Sequence, residues 1–197
     1  MNKRILVPLA LLVLAASTLA ACGGGGSGAE DEIVETIETA ATTNDPTNCT
    51  ELQTQRFDEQ NSGESGKAAV KSCEEEAKED EEQAEAANAS NVSVNGEKAT
   101  AEVEFEGGPL DSQTLEVALV EEGGSWKLDQ IEGFAEYDGQ ALEEAFLKRF
   151  EEEPEGASKA QYACIAEGIG KASKAEAEEL FLSGSPEKLE ELARGCA

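Results

Sequence analysis

The sequence predicts an α+β fold: helices first, then an antiparallel meander of about four strands, then a small C-terminal helical unit. Three observations carry this. Apolar residues recur at helical spacing early in the chain, as at Ile33, Val34, Ile37 and Ala41. Between Asn91 and Ile131 the spacing switches to two, punctuated by glycine turns. Beyond Gly139 the helical spacing returns, opened twice by a Ser-x-x-Gln/Glu pattern. The boundaries drawn from this are 1–21 for a leader, 22–29 for a tether, 30–135 for an α+β domain and 136–197 for the helical unit.

The chain starts with a basic Met1–Arg4, an apolar run from Ile5 to Ala16 and a small-residue exit through Ala21. That order makes a secretory signal. It is too short to span a bilayer, which takes about 20 apolar residues. Its exit, Leu19-Ala20-Ala21-Cys22 followed by Gly23, resembles the lipobox of bacterial lipoproteins. The resemblance implies that the Cys22 thiol takes a diacylglycerol, that the leader is cut just before it, and that the new amino group is open to acylation by a fatty acid such as palmitate. It places the mature chain outside the cytoplasm, lipid-anchored to a bacterial membrane at the cell surface or on the periplasmic side. Two or three acyl chains anchor stably, whereas one is marginal at about 0.8 kcal/mol per buried CH₂. Gly23 to Gly28, with one serine, then reads as a flexible tether. A phosphate-cradling loop would need a preceding strand and a Lys-Ser/Thr ending, and has neither.

Glu30 to Thr42 is expected as the first helix, with acids in its first turn. Thr43-Asn44-Asp45-Pro46 ends it. Cys49, Leu52, Gln53 and Phe57 fall on one face of a short second helix, and Asn61 to Gly66 is a loop. Lys67 to Ala87 reads as a third helical stretch. From Glu74 to Glu85 it is nearly all Glu, Asp, Ala and Lys, which reads as a solvated face eased by Glu74–Lys78. No calcium-loop pattern occurs in it. Next, Asn91 to Val94 alternates, and Asn95-Gly96 is a strong hairpin signal. Ala99, Ala101, Val103 and Phe105 share one face of the next strand, then Leu115, Val117 and Leu119 of another. Trp126, Leu128 and Ile131 belong to the last, with a bulge resetting its alternation. Gly133 to Gly139 reads as a linker. Four helical stretches follow, with capping boxes at Ser158/Gln161 and Ser173/Glu176, Pro154 as a stop and Ser185-Pro186 as the last start.

Composition excludes much. The net charge is −28, and loss of Lys3 and Arg4 with the leader makes the mature chain more acidic still. Nucleic acid is excluded as a partner, because that field repels phosphate. There is no histidine. That removes the usual neutral-pH base, His-dependent triads and His-ligated zinc. Five cysteines are present. With Cys22 given to lipid, Cys49, Cys73, Cys164 and Cys196 suggest two disulfides in an exported protein, with three connectivities open. Local pairing, Cys49 with Cys73 and Cys164 with Cys196, is preferred; a four-thiolate metal site is the alternative. No metal or other cofactor is implied.

Helices followed by a meander that ends in a Trp-Lys-Leu strand resemble the nuclear transport factor 2-like (cystatin-like) fold. The residues carrying the resemblance are Ile33, Ile37, Leu52, Phe57, Val92 to Val94, Val103, Phe105, Leu115 to Leu119, Trp126 and Leu128. It implies N-terminal helices packed into the concave face of a curved sheet, enclosing a conical pocket. The fold hosts enzymes and binding modules alike, so function must come from the site. A non-enzymatic envelope module binding a partner protein or small ligand is the first reading. The alternative is a ketosteroid isomerase/dehydratase-like pocket enzyme with a carboxylate base. Its candidates are Asp111, Asp129 and Tyr137, none of which sits in a motif.

Overall fold

The computed structural model describes residues 27–78, 83–152, 158–182 and 187–196. The leader, Cys22, Gly23 to Gly26, Pro154, the Ser185-Pro186 start and residues 79–82 of the acidic run lie outside the described residues. Four helices come first: α1 (Ser27–Thr42), α2 (Asn48–Glu51), α3 (Gln55–Ser62) and α4 (Lys67–Glu76). The sheet follows as β1 (Ala86–Asn95), β2 (Lys98–Glu106), β3 (Thr114–Glu122) and β4 (Ser125–Glu136). The chain ends in α5 (Gly139–Glu152), α6 (Lys159–Lys171), α7 (Lys174–Phe181) and α8 (Glu187–Gly195). The strands are antiparallel neighbours in the order β1-β2-β3-β4. The fold is α+β, helices on a curved sheet with helices after it.

The period of two builds the core. Ala99, Ala101 and Val103 of β2 and Leu115, Val117 and Leu119 of β3 are buried, while the residues between them are not. Ile33 and Ile37 of α1, one turn apart, are buried in the same cluster. Each buried Val, Leu or Ile among them contributes about 1.5–3 kcal/mol when taken fully from water.

Curvature comes from mismatched strand lengths. β4 has 12 residues against 9 in β3. The excess sits at Asp129, Glu132 and Ala135, where the pairing skips: Leu119 faces Leu128 and Ala118 faces Gln130, Val117 faces Ile131 and Glu116 faces Gly133, Leu115 faces Phe134 and Thr114 faces Glu136. Each extra residue bends the strand and raises its twist. One bulge is expected from the sequence; three are present. β1 carries its own extra residue between Ser90 and Ser93, with Asn91 at φ 51°.

Several elements differ from expectation. Ser27 to Ala29, expected in the tether, are the first residues of α1. The single second helix is two, α2 and α3, split where Gln53 bridges to Leu128 of β4. α4 stops at Glu76 and β1 starts at Ala86, so Ala86 to Ala89 are strand rather than helix or its end. Ala87 is buried opposite Phe105, and tertiary pairing overrides the helix preference of alanine. Lys78 lies beyond α4, and the i,i+4 pair that forms is Lys71–Glu75 at 2.8 Å. The hairpin turn is Gly96-Glu97, since Asn95 pairs with Lys98; Gly96, at φ 65°, takes the first central position. Gly133 to Glu136 are strand, not linker, and Phe134 is among the largest fully buried side chains.

β4 ends the sheet, yet its outer edge is covered. The Trp126 N–H meets Glu32 Oε1 and its carbonyl accepts from Thr36 Oγ1. Leu128 N–H donates to the Leu52 carbonyl (2.8 Å) and its carbonyl accepts from Thr54 N–H (2.9 Å). Gln60 then acts as a peptide group: Nε2 donates to the Ile131 carbonyl (2.8 Å) and Oε1 accepts from the Ile131 N–H (2.8 Å). The Phe134 N–H donates to Glu178 Oε1 of α7 (3.2 Å). Buried Gln113 repeats the device at the strand's end, accepting from the Asp138 N–H and donating to its carbonyl, both at 3.0 Å.

The C-terminal helices share the core. Ala177 of α7 is fully buried in the sheet cluster, with Phe181 and Leu182 packed against it. Both capping boxes form. α5 lies close on α6: a Cβ at Gly139 would stand 2.7 Å from the Gly170 carbonyl oxygen. The sulfurs of Cys49 and Cys73 are bonded, as are those of Cys164 and Cys196, tying α2 to α4 and α6 to the residue after α8.

Replacing Gln60 by leucine keeps volume but strips its amide from Ile131 and from the Leu182 carbonyl, which Nε2 also reaches at 3.0 Å. Urea unfolding of Gln60→Leu is expected to show a loss of about 2–4 kcal/mol. A loss below about 0.5 kcal/mol, the range of ordinary surface changes, would mean that water satisfies this edge instead.

Candidate functional site

The curved sheet and the helices do not fill the space between them. A cavity of about 300 Å³ remains. Its floor is Val103 and Phe105 of β2, Leu115 and Val117 of β3, and Leu128 and Ile131 of β4. Its roof is Ile37, Ala40 and Ala41 of α1, with Phe57 and Asn61 of α3 along one side. Local sequence explains the void. The bulges bow β4 away, and the last turns of α1 offer two alanine stubs where Ile33 and Ile37 fill the earlier turns. Phe57 and Asn61, four apart, lie one above the other on α3. Polar groups are few: the amides of Gln53, Asn61 and Gln83. Asn61 Nδ2 donates to the Phe57 carbonyl at 3.1 Å. Walls that are mostly apolar with a few convergent amides suit a small uncharged body.

The residues proposed from sequence are placed elsewhere. Asp111 is exposed on the β2–β3 loop, where Oδ1 accepts from the Gly107 N–H at 2.7 Å. Asp129, at the first bulge of β4, pairs with Arg56 (2.8 Å) and accepts from Thr54 Oγ1 (3.0 Å). Arg56 also donates to Gln130 Oε1. Tyr137 donates its hydroxyl to the Ile169 carbonyl at 3.2 Å and packs against Phe134 at 5.1 Å between ring centroids. Burial first, then Asp138 and Glu176, push its phenol above the ordinary value. None of the three lines the cavity, and they are held by three different structural tasks. Among the described residues no three of Cys, Asp and Glu gather as metal ligands.

One group that sequence reasoning missed is Asp58 of α3. It is 1 % exposed, and neither carboxyl oxygen has a hydrogen-bond partner. It lies about 100° round the helix from Phe57, away from the cavity wall and on the α4 side. Burial, then Glu74 and Glu76 of α4, push its pKa up to about 7. The sequence hides it well, since an acid near the start of a capped helix is the ordinary choice. Thr54 is that cap, accepting from the Phe57 N–H at 3.3 Å.

No family model and no curated protein matches this chain. Among solved structures it is similar to an NTF-2-like protein of unknown function from Silicibacter pomeroyi, at 22% identity over 53% of this chain and 90% of that one, with a TM-score of 0.34. At that TM-score the neighbour adds nothing to the reading of the cavity; the fold class stands on the strand order and helix packing.

Asp58 sets a pH dependence. Its carboxyl titrates near 7 when folded and near 3.8 when free, so between those values the folded state holds the extra proton. Stability therefore falls as pH rises from 4 to 7 and levels off above the folded value. Against Asp58→Asn, wild type should lose a few kcal/mol more over that window, read by urea titration at each pH. Parallel curves for the two proteins would remove the ionisation cost from Asp58.

Proposed function

We propose that this chain is a bacterial lipoprotein, held outside the cytoplasm through acylated Cys22, whose folded part is a non-enzymatic module that holds a small apolar ligand between α1, α3 and the sheet. The cavity of about 300 Å³ carries this reading, because its walls are mostly aliphatic or aromatic and its polar lining is amide rather than acid or base. Displacing water from these apolar walls by an apolar body is favourable. The leader and lipobox at Leu19 to Cys22 support the anchoring, and the paired cysteines suit an oxidising compartment.

Placement weighs against the carboxylate-base enzyme. A base must lie within hydrogen-bond reach of the proton it takes. Asp58 is a buried acid whose pKa is pushed up to about 7, and it does not line the cavity. The ion pair of Asp129 and the loop bond of Asp111 keep those carboxylates on other duties.

Two measurements test the proposal. Cys22→Ser is expected to abolish acyl labelling and partition into the detergent phase; full processing with unchanged partition would overturn the anchor. The neutral dye 1-N-phenylnaphthylamine is expected to brighten on binding wild type and to lose at least about tenfold in affinity with Ala41→Leu, which intrudes on the cavity. Equal binding by a folded Ala41→Leu protein would put the ligand elsewhere.

A further inference from the structure

A second cavity, of about 150 Å³, opens beside the first and shares Ala40, Gln53 and Gln83 with it. Its character is opposite. It is lined by Thr43, Asn44, Asp45, Asn48 and Glu76, with the Cys49–Cys73 sulfurs at its back. Among the described residues no lysine or arginine lines either cavity. Gln53 stands where they meet. Its neighbours Leu52 and Thr54 are pinned to Leu128 by backbone hydrogen bonds, and its Oε1 lies 3.3 Å from Cys73 Sγ. The backbone thus holds Gln53 at the junction between an apolar chamber and a polar vestibule.

The vestibule has a definite charge. Asp45 Oδ1 accepts from the Thr47 N–H and hydroxyl, both at 2.9 Å, and these bonds hold its carboxyl below the usual range. Asp45 and Glu76 both line the vestibule and are exposed, so a cationic head held there stays partly hydrated and avoids the cost of a buried ion. Asn48 is buried and held by its Nδ2 bond to Thr43 Oγ1 at 2.8 Å. The rim is therefore preset rather than formed around the guest.

From this juxtaposition we infer that the two cavities are one site for an amphipathic cation, its apolar body in the chamber under α1 and its protonated amine in the vestibule beside Asp45 and Glu76. The inference rests on the chamber being a ligand site and adds the chemistry of the head group.

Three probes with one tail and different heads test it: octylamine, 1-octanol and octanoate. They are titrated calorimetrically into the full chain carrying Cys22→Ser, so that no acyl chain competes. At physiological salt octylamine should bind about tenfold tighter than octanol, and octanoate weaker than both. Asp45→Asn with Glu76→Gln should remove most of that advantage and leave octanol within about twofold. Glu104→Gln with Glu116→Gln makes the same charge change on β2 and β3 and should leave octylamine within about twofold. Octylamine no tighter than octanol, or equal losses from the two double variants, would overturn the vestibule while the chamber stands. Failure of octanol and octylamine alike would overturn both.

Discussion

The structure depends on closing one strand. A four-stranded sheet must end somewhere, and unpaired peptide groups at a half-buried edge are costly. β4 meets this without a fifth strand. Backbone from the α2–α3 junction covers Leu128, the Gln60 amide covers Ile131, and Glu178 covers Phe134. The elements that supply these groups are thereby fixed in place: α1 through Glu32 and Thr36, α3 through Gln60, α7 through Glu178. Helix packing and edge satisfaction are the same event.

The cavity follows from that arrangement. A bulged strand cannot be paired regularly by another strand, so its partners are side chains and turns spaced along three helices. The same bulges bow the sheet, and the bowed sheet stands off from the alanine end of α1. Charge is kept off the concave face: Glu102, Glu104 and Glu116 sit on the other one, where Glu102 faces Glu116 directly across the strands. Such like-charged neighbours are destabilising by themselves. They show that this outer surface has been kept wet, while apolar side chains are spent on the inner one.

Much of this was legible in residue spacing. Period two in β2 and β3, helical spacing in α1 and the two capping boxes depend on local geometry, and each is where the sequence puts it. What escaped was set by distant partners. Ala86 and Ala87 read as the end of a helix because alanine favours helix, and became strand because Glu106 and Phe105 lie opposite. Gly133 to Glu136 read as linker because a Gly-Phe-Ala-Glu run lacks alternation, which two closely spaced bulges disguise. The cavity was foreseen only through a fold resemblance. Its polar residues, Gln53 and Asn61, carry no motif, and Asp58 looks in one dimension like any acid at a helix start.

The opposite edge of the sheet is β1, and there Asn91 matters for what the chain does in company. Its left-handed backbone interrupts the strand midway, leaving short runs on either side instead of ten residues in register. A neighbouring molecule offering its own extended segment could zip onto only one run before meeting the kink. Copies crowded together would then resist growth into fibrils by geometry, in addition to mutual repulsion.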